Sequence, residues 1–244
     1  MITYVTVPVG PKIVVINHCD SVSDEELIKA VAAFARQVNE HFAQPPPFGY
    51  GIGARFRIGA APLPDEWALV LHKGAPDIEG AAAYHDLTET GCPVMHIFPD
   101  ADKADGQVWT VSASHEILET LVDPNVCTAV QAPDGRFRPK EVADPVEALS
   151  YTIDGVAVTN WVRPLYFEPA GARTDDLANL DYMGRVTRAF EVLPGGYEQV
   201  WDPVSGGWIE NYNAGATPRT YRITRKRVGL GRRARRSRHG TIPK

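Results

Sequence analysis

Ser114-His115-Glu116-Ile117-Leu118-Glu119-Thr120-Leu121-Val122-Asp123-Pro124 is the stretch around which the rest of this chain is arranged. Its apolar residues Ile117, Leu118, Leu121 and Val122 recur at helical spacing, and Pro124 stops the element because proline cannot continue the hydrogen-bond ladder. The pattern predicts a short helix. His115 and Glu119 stand four apart, so their side chains project from one face and can hold a common ion. Glu116 sits beside that pair, where its carboxylate can work on a water. The alternative is an exposed helix face with solvated acids.

The pattern differs from the zinc motif H-E-x-x-H by one residue, a glutamate at 119 in place of the second histidine. Zinc accepts carboxylate oxygen as well as imidazole nitrogen, so the variant is chemically admissible. Two carboxylates and one imidazole make the site more negative and acidify a bound water less. Oxygen ligands also suit harder ions such as Mn²⁺ or Ca²⁺. Zn²⁺ is the expected ion.

The helix supplies two ligands and a metal needs a third. The nearest acidic run downstream is Lys140-Glu141-Val142-Ala143-Asp144-Pro145-Val146-Glu147. Glu141 is the first choice, Glu147 the reserve, and Asp144 an acceptor that orients His115. The competing reading of this run is a solvated acidic turn. His72, His85 and His96 lie upstream and can also serve, although a lone histidine in a strand is more often structural.

Around this site the chain reads as α+β. Lys12-Ile13-Val14-Val15-Ile16-Asn17 is a β-branched run expected as a buried strand. Ser23-Asp24-Glu25-Glu26 caps a helix whose apolar stripe runs from Leu27 to Phe42 and ends before Pro45-Pro46-Pro47. Residues 54–58 and 67–72 are strand candidates. Residues 91–99 form another, and the prolines at both ends suit an edge strand. Such an edge, directly before the metal helix, is well placed to hold an extended peptide by strand addition. Residues 100–106 read as a loop. After Pro124 the chain turns β-rich, with hairpin signals at Asp134-Gly135 and at Asp154-Gly155, and another framed by residues 194–197 and 205–208. A domain boundary after Pro124 is tempting, but residues 125–147 are expected to complete the site instead.

Composition narrows the function classes. A length of 244 residues allows one substantial core, and 44% hydrophobic content is ordinary for a soluble protein. No run approaches the ~20 apolar residues of a membrane helix. The first residues lack the layout of a signal peptide. Three scattered cysteines, Cys19, Cys92 and Cys127, fit a reducing compartment better than a disulfide framework. Of the 25 Lys/Arg, ten fall in residues 221–244, which hold no acid, so the remaining 220 residues carry 15 basic against 30 acidic groups. The segment is expected to be disordered alone, an arm for nucleic acid or another polyanion through residues 222–244. A solubilising tail and one docked on the acidic body are the alternatives. The expected division is residues 1–220 as one domain and 221–244 as the tail.

The motif His115-Glu116-Ile117-Leu118-Glu119, then Asp123-Pro124, then the run from Glu141 to Glu147, then the aromatic stretch 161–169, together resemble a group of zincin-like metallopeptidases of bacteria and tailed phages. The resemblance covers residues 12 to about 197 and is strongest over 115–169; the basic tail lies outside it. It implies a zincin-like fold, with a mixed sheet, one packed helix, a substrate-binding edge strand and the metal-bearing helix, followed by a β-rich C-terminal part. It carries His115 and Glu119 over as ligands, Glu141 as the third, and Glu116 as general base.

The expected function is therefore a zinc-dependent metallopeptidase acting on a peptide or protein through an activated water. Tyr151, Tyr166 and Tyr197 are all candidates for stabilising the oxyanion. The rival is a non-enzymatic structural or assembly protein that keeps the fold and touches nucleic acid or a particle wall with its tail. A plain nucleic-acid-binding protein is disfavoured by the acidic body. The expected location is cytoplasmic or virion-associated.

Overall fold

The apolar run after Lys12 becomes β1 (Lys12–Asn17), the centre of the sheet's parallel part. The computed structural model describes residues 10–76, 83–168, 179–204 and 206–213. The expectations for the basic tail fall outside these residues. The fold is α+β, with a mixed five-stranded sheet in the order β2-β1-β3-β5-β4. Parallel to one another run β2 (Arg55–Ile58), β1, β3 (Glu66–Leu71) and β5 (Pro93–Ile97), and β4 (Ala83–Leu87) closes one edge antiparallel.

The edge strands are thus β2 and β4, and the expectation that residues 91–99 form an edge is corrected: β5 lies between β3 and β4. Its flanking prolines remain compatible with an interior place. Pro93 is the strand's first residue, and Pro99 falls after its end, in the first turn of a helix, so neither interrupts the ladder's middle. That helix, α2 (Pro99–Ala104), replaces the loop expected over 100–106.

Strand alternation sorts the sheet into two faces. Ile13, Val15, Leu69, Leu71, Met95 and Ile97 enter the main core, while Val14, Ile16, Ala68 and Val94 form a second, smaller cluster. Two helices supply the other half of the main core. In α1 (Asp24–Arg36) the Ser23 hydroxyl accepts the Glu26 N–H at 3.2 Å, and Leu27, Ala30, Ala33 and Phe34 are buried. The helix was expected to continue to Phe42; instead it widens into a π-helical turn (Gln37–Phe42) that buries Gln37, Val38 and Phe42 together. Gln37 donates from there to the Thr159 carbonyl at 2.8 Å.

The second helix, α3 (Trp109–Val122), begins five residues before the quoted stretch. Three hairpins follow it: β6 (Ala129–Gln131) with β7 (Phe137–Pro139), β8 (Ser150–Ile153) with β9 (Val156–Thr159), and β10 (Tyr197–Asp202) with β11 (Gly207–Tyr212). Asp154 and Gly155, both at positive φ (50° and 81°), make the tight turn that the Asp-Gly pair predicts. Val142, Val146, Trp161, Val162 and Leu180 join the same core cluster as Ile13 and Phe34, so the hydrophobic interior runs on past Pro124. Among the described residues, no helix is long and apolar enough to cross a membrane.

Candidate metal centre

The helix α3 is buried on every side from Ala113 to Leu121. On one flank the β8–β9 hairpin is tied to it: Thr110 Oγ1 donates to the Ala157 carbonyl at 2.6 Å, and the Thr159 N–H donates to Ser114 Oγ at 2.8 Å. Past its end, Asp123 closes the turn by accepting from the Cys127 and Thr128 amides. The exposed-face alternative is thereby excluded, since His115 keeps 7%, Glu116 3% and Glu119 1% of its surface. The solvated-turn alternative fails likewise, because Glu141, Asp144 and Glu147 are all buried.

His115 and Glu119 meet as their spacing requires, with Nε2 3.1 Å from Oε1. Residues 141–147 cover them. The Ala143 N–H donates to Glu119 Oε1 at 3.2 Å, and the short 3₁₀ turn Asp144–Val146 sets Asp144 Oδ1 3.1 Å from His115 Nε2. An acceptor that orients a metal-bound histidine engages the ring nitrogen not facing the metal. Asp144 instead shares Nε2 with Glu119, a position that suits a fellow ligand. Backbone crowding holds the turn in place: a Cβ on Gly196 would come within 2.5 Å of the Pro145 carbonyl oxygen, and the Leu193 N–H donates to that oxygen at 2.9 Å.

The residue that sequence alone left undecided is His85. On the edge strand it pairs with Met95, so it shares the core face, while its neighbour Tyr84 pairs with His96 on the opposite one. His85 is 1% exposed. Its Nδ1 lies 2.8 Å from Glu116 Oε2 and 3.8 Å from Glu119 Oε2, and its Nε2 lies 3.9 Å from Glu141 Oε2. His72 and His96 are elsewhere, stacked on each other with Nε2 and Nδ1 2.8 Å apart. The deciding signal is β4 itself: pairing of residues 83–87 with β5 sets His85 opposite Met95 and so on the other face from His96.

Two groups of three therefore converge among the described residues: His85, Glu119 and Glu141, and His115, Glu116 and Glu119, each with ligand atoms within 4.8 Å of one another. Glu141 joins the cluster through His85 and Glu119, and Glu147 belongs to neither group. Histidine nitrogens and carboxylate oxygens so placed fit a divalent ion chemically.

The electrostatics agree with that fit. Burial disfavours a charged His115, but Glu119, Asp144 and Glu116 outweigh it and hold the imidazole well above its ordinary value. Burial, and then repulsion from Asp144 and Glu141, push Glu119 well above the usual carboxylate range despite His115. A cation entering the cluster competes with those protons and relieves the repulsion.

Of the three tyrosines, Tyr151 is directed away, its hydroxyl 3.0 Å from His41 Nδ1. Tyr166 and Tyr197 line a small cavity with Glu141, Asp144 and Arg138. Burial raises both phenols well above their ordinary value, with Glu198 adding to it for Tyr166 and Asp144 for Tyr197, so both stay protonated donors at neutral pH. The cavity offers about 20 Å³ to a water-sized sphere, room for about one water. No family model, curated protein or solved structure matches the chain.

Proposed function

We propose that the chain is a zincin-like, metal-dependent peptidase whose centre is built on α3, with zinc as its ion. The observation that carries this reading is the convergence of His115 and Glu119, at 3.1 Å, with His85 and Glu141 inside a buried, carboxylate-rich cluster. When bound there, a divalent ion supplies Lewis-acid polarisation of a carbonyl and acidification of a water. Glu116 takes the proton of the attacking water as general base, and its contact with His85 keeps the carboxylate oriented. Tyr166 or Tyr197 donates to the oxyanion. The outer side of β4, the strand that brings His85, offers the backbone edge along which an extended peptide substrate pairs.

The test is cleavage of an unfolded protein substrate such as reduced casein by zinc-loaded protein. Activity should vanish with a chelator and return with zinc. Absence of cleavage under all metal loadings rejects the peptidase reading.

A second reading is favoured by the depth of the site. Every ligand candidate is less than a tenth exposed, and the adjoining cavity has room for about one water. A buried centre of this kind suits a structural metal in a non-enzymatic protein of assembly, one whose basic tail contacts nucleic acid. That protein binds the ion, loses thermal stability when it is removed, and cleaves nothing.

A further inference from the structure

We infer that the cluster takes two divalent cations, with the carboxylate of Glu119 bridging them. This rests on the metal-site reading above and extends it from one ion to a pair.

The first observation is the way Glu119 divides its oxygens. Oε1 lies 3.1 Å from His115 Nε2, and Oε2 lies 3.8 Å from His85 Nδ1. Each oxygen thus serves a different histidine, the arrangement of a bridging carboxylate. The second observation is that the two convergent groups share Glu119 alone, and neither includes both histidines. Each group thus brings its own histidine to the shared carboxylate.

Charge points the same way. Glu116, Glu119, Glu141 and Asp144 are all buried beside two histidines. Four carboxylates supply the negative charge to match two divalent ions when the metals displace their protons. Neighbouring ions in two-metal hydrolytic sites stand about 3.5–4 Å apart, a spacing one bridging carboxylate spans.

The assignment follows. One ion belongs to His115 and Glu119 Oε1 with Asp144 beside them, the other to His85, Glu119 Oε2 and Glu141.

The experiment is metal stoichiometry on the full chain, stripped with chelator, loaded separately with Zn²⁺ and with Mn²⁺, freed of loose ions by gel filtration, and measured by elemental analysis. Two ions per chain with at least one of the metals is expected. One at most with both overturns the paired site and leaves the single-metal reading standing; none with either overturns both. His85→Asn and His115→Asn should each fall from two ions to one, and His72→Asn/His96→Asn should keep two. A second ion that survives both single changes lies elsewhere and overturns the inference. The wild-type count decides the matter even where a variant fails to fold, which circular dichroism reports.

Discussion

His85 and Glu119 approach to 3.8 Å in the interior although they belong to a strand and a helix separated by two further elements, β5 and α2. The contact joins the sheet edge to the middle of α3, and it makes the centre depend on sheet pairing as much as on helical spacing. If that is so, His85→Ala should weaken zinc binding by at least tenfold, comparably to His115→Ala. His96→Ala, one strand over on the opposite face, should leave it unchanged. Isothermal titration of the three variants with zinc checks this, and equal affinity of His85→Ala and wild type would remove His85 from the site.

Glu116→Gln keeps the size of the side chain while removing the base. For a peptidase, turnover should fall by roughly 10²–10⁴-fold with metal content and melting temperature retained. Steady-state cleavage and elemental analysis on the same preparation separate the cases. Loss of metal would show that Glu116 binds the ion directly.

Deleting residues 222–244 should leave the melting temperature of the body unchanged and sharply reduce salt-sensitive binding to DNA, because ten of the chain's cationic side chains leave with the segment. Fluorescence anisotropy at two salt concentrations measures it. Undiminished binding would dismiss the arm.

Ser114 is wholly buried, accepts from the Thr159 N–H at 2.8 Å and donates to the Val111 carbonyl at 3.0 Å. Ser114→Ala strands that buried amide and should cost about 1–3 kcal/mol, read as a lower urea midpoint at unchanged slope. A change within error would mean that this hydrogen bond adds nothing to the hold of the β8–β9 hairpin on α3.

A separate prediction concerns acid stability. Hydrogen bonds from Arg57, and then the Leu63 N–H, hold the Glu66 carboxyl down at about 2 against an ordinary 4.5. A lowered folded-state pKa stabilises the fold above the unfolded value and loses that contribution as pH falls from about 4.5 towards 2. Glu66→Gln should therefore flatten the decline of melting temperature over this window, while also lowering stability at pH 7. A decline as steep as wild type's would assign acid sensitivity to other carboxylates.

What the sequence by itself determined was local. The Ser23 cap, the Asp154-Gly155 turn, the stop before Pro124 and the i,i+4 approach of His115 to Glu119 all follow from backbone preferences within a few residues. The run from Glu141 to Glu147 was legible as an acidic segment, but not which of its carboxylates reach the histidines. Tertiary structure alone decided that residues 83–87 form the edge, that β5 is interior, and that His85 rather than His72 or His96 enters the cluster. The physical reason is that a side chain's face on a strand depends on the register with its neighbour, and a one-residue shift reverses it. That register is set by burying Met95 and Ile97 against α3, a long-range contact that no short window of sequence contains.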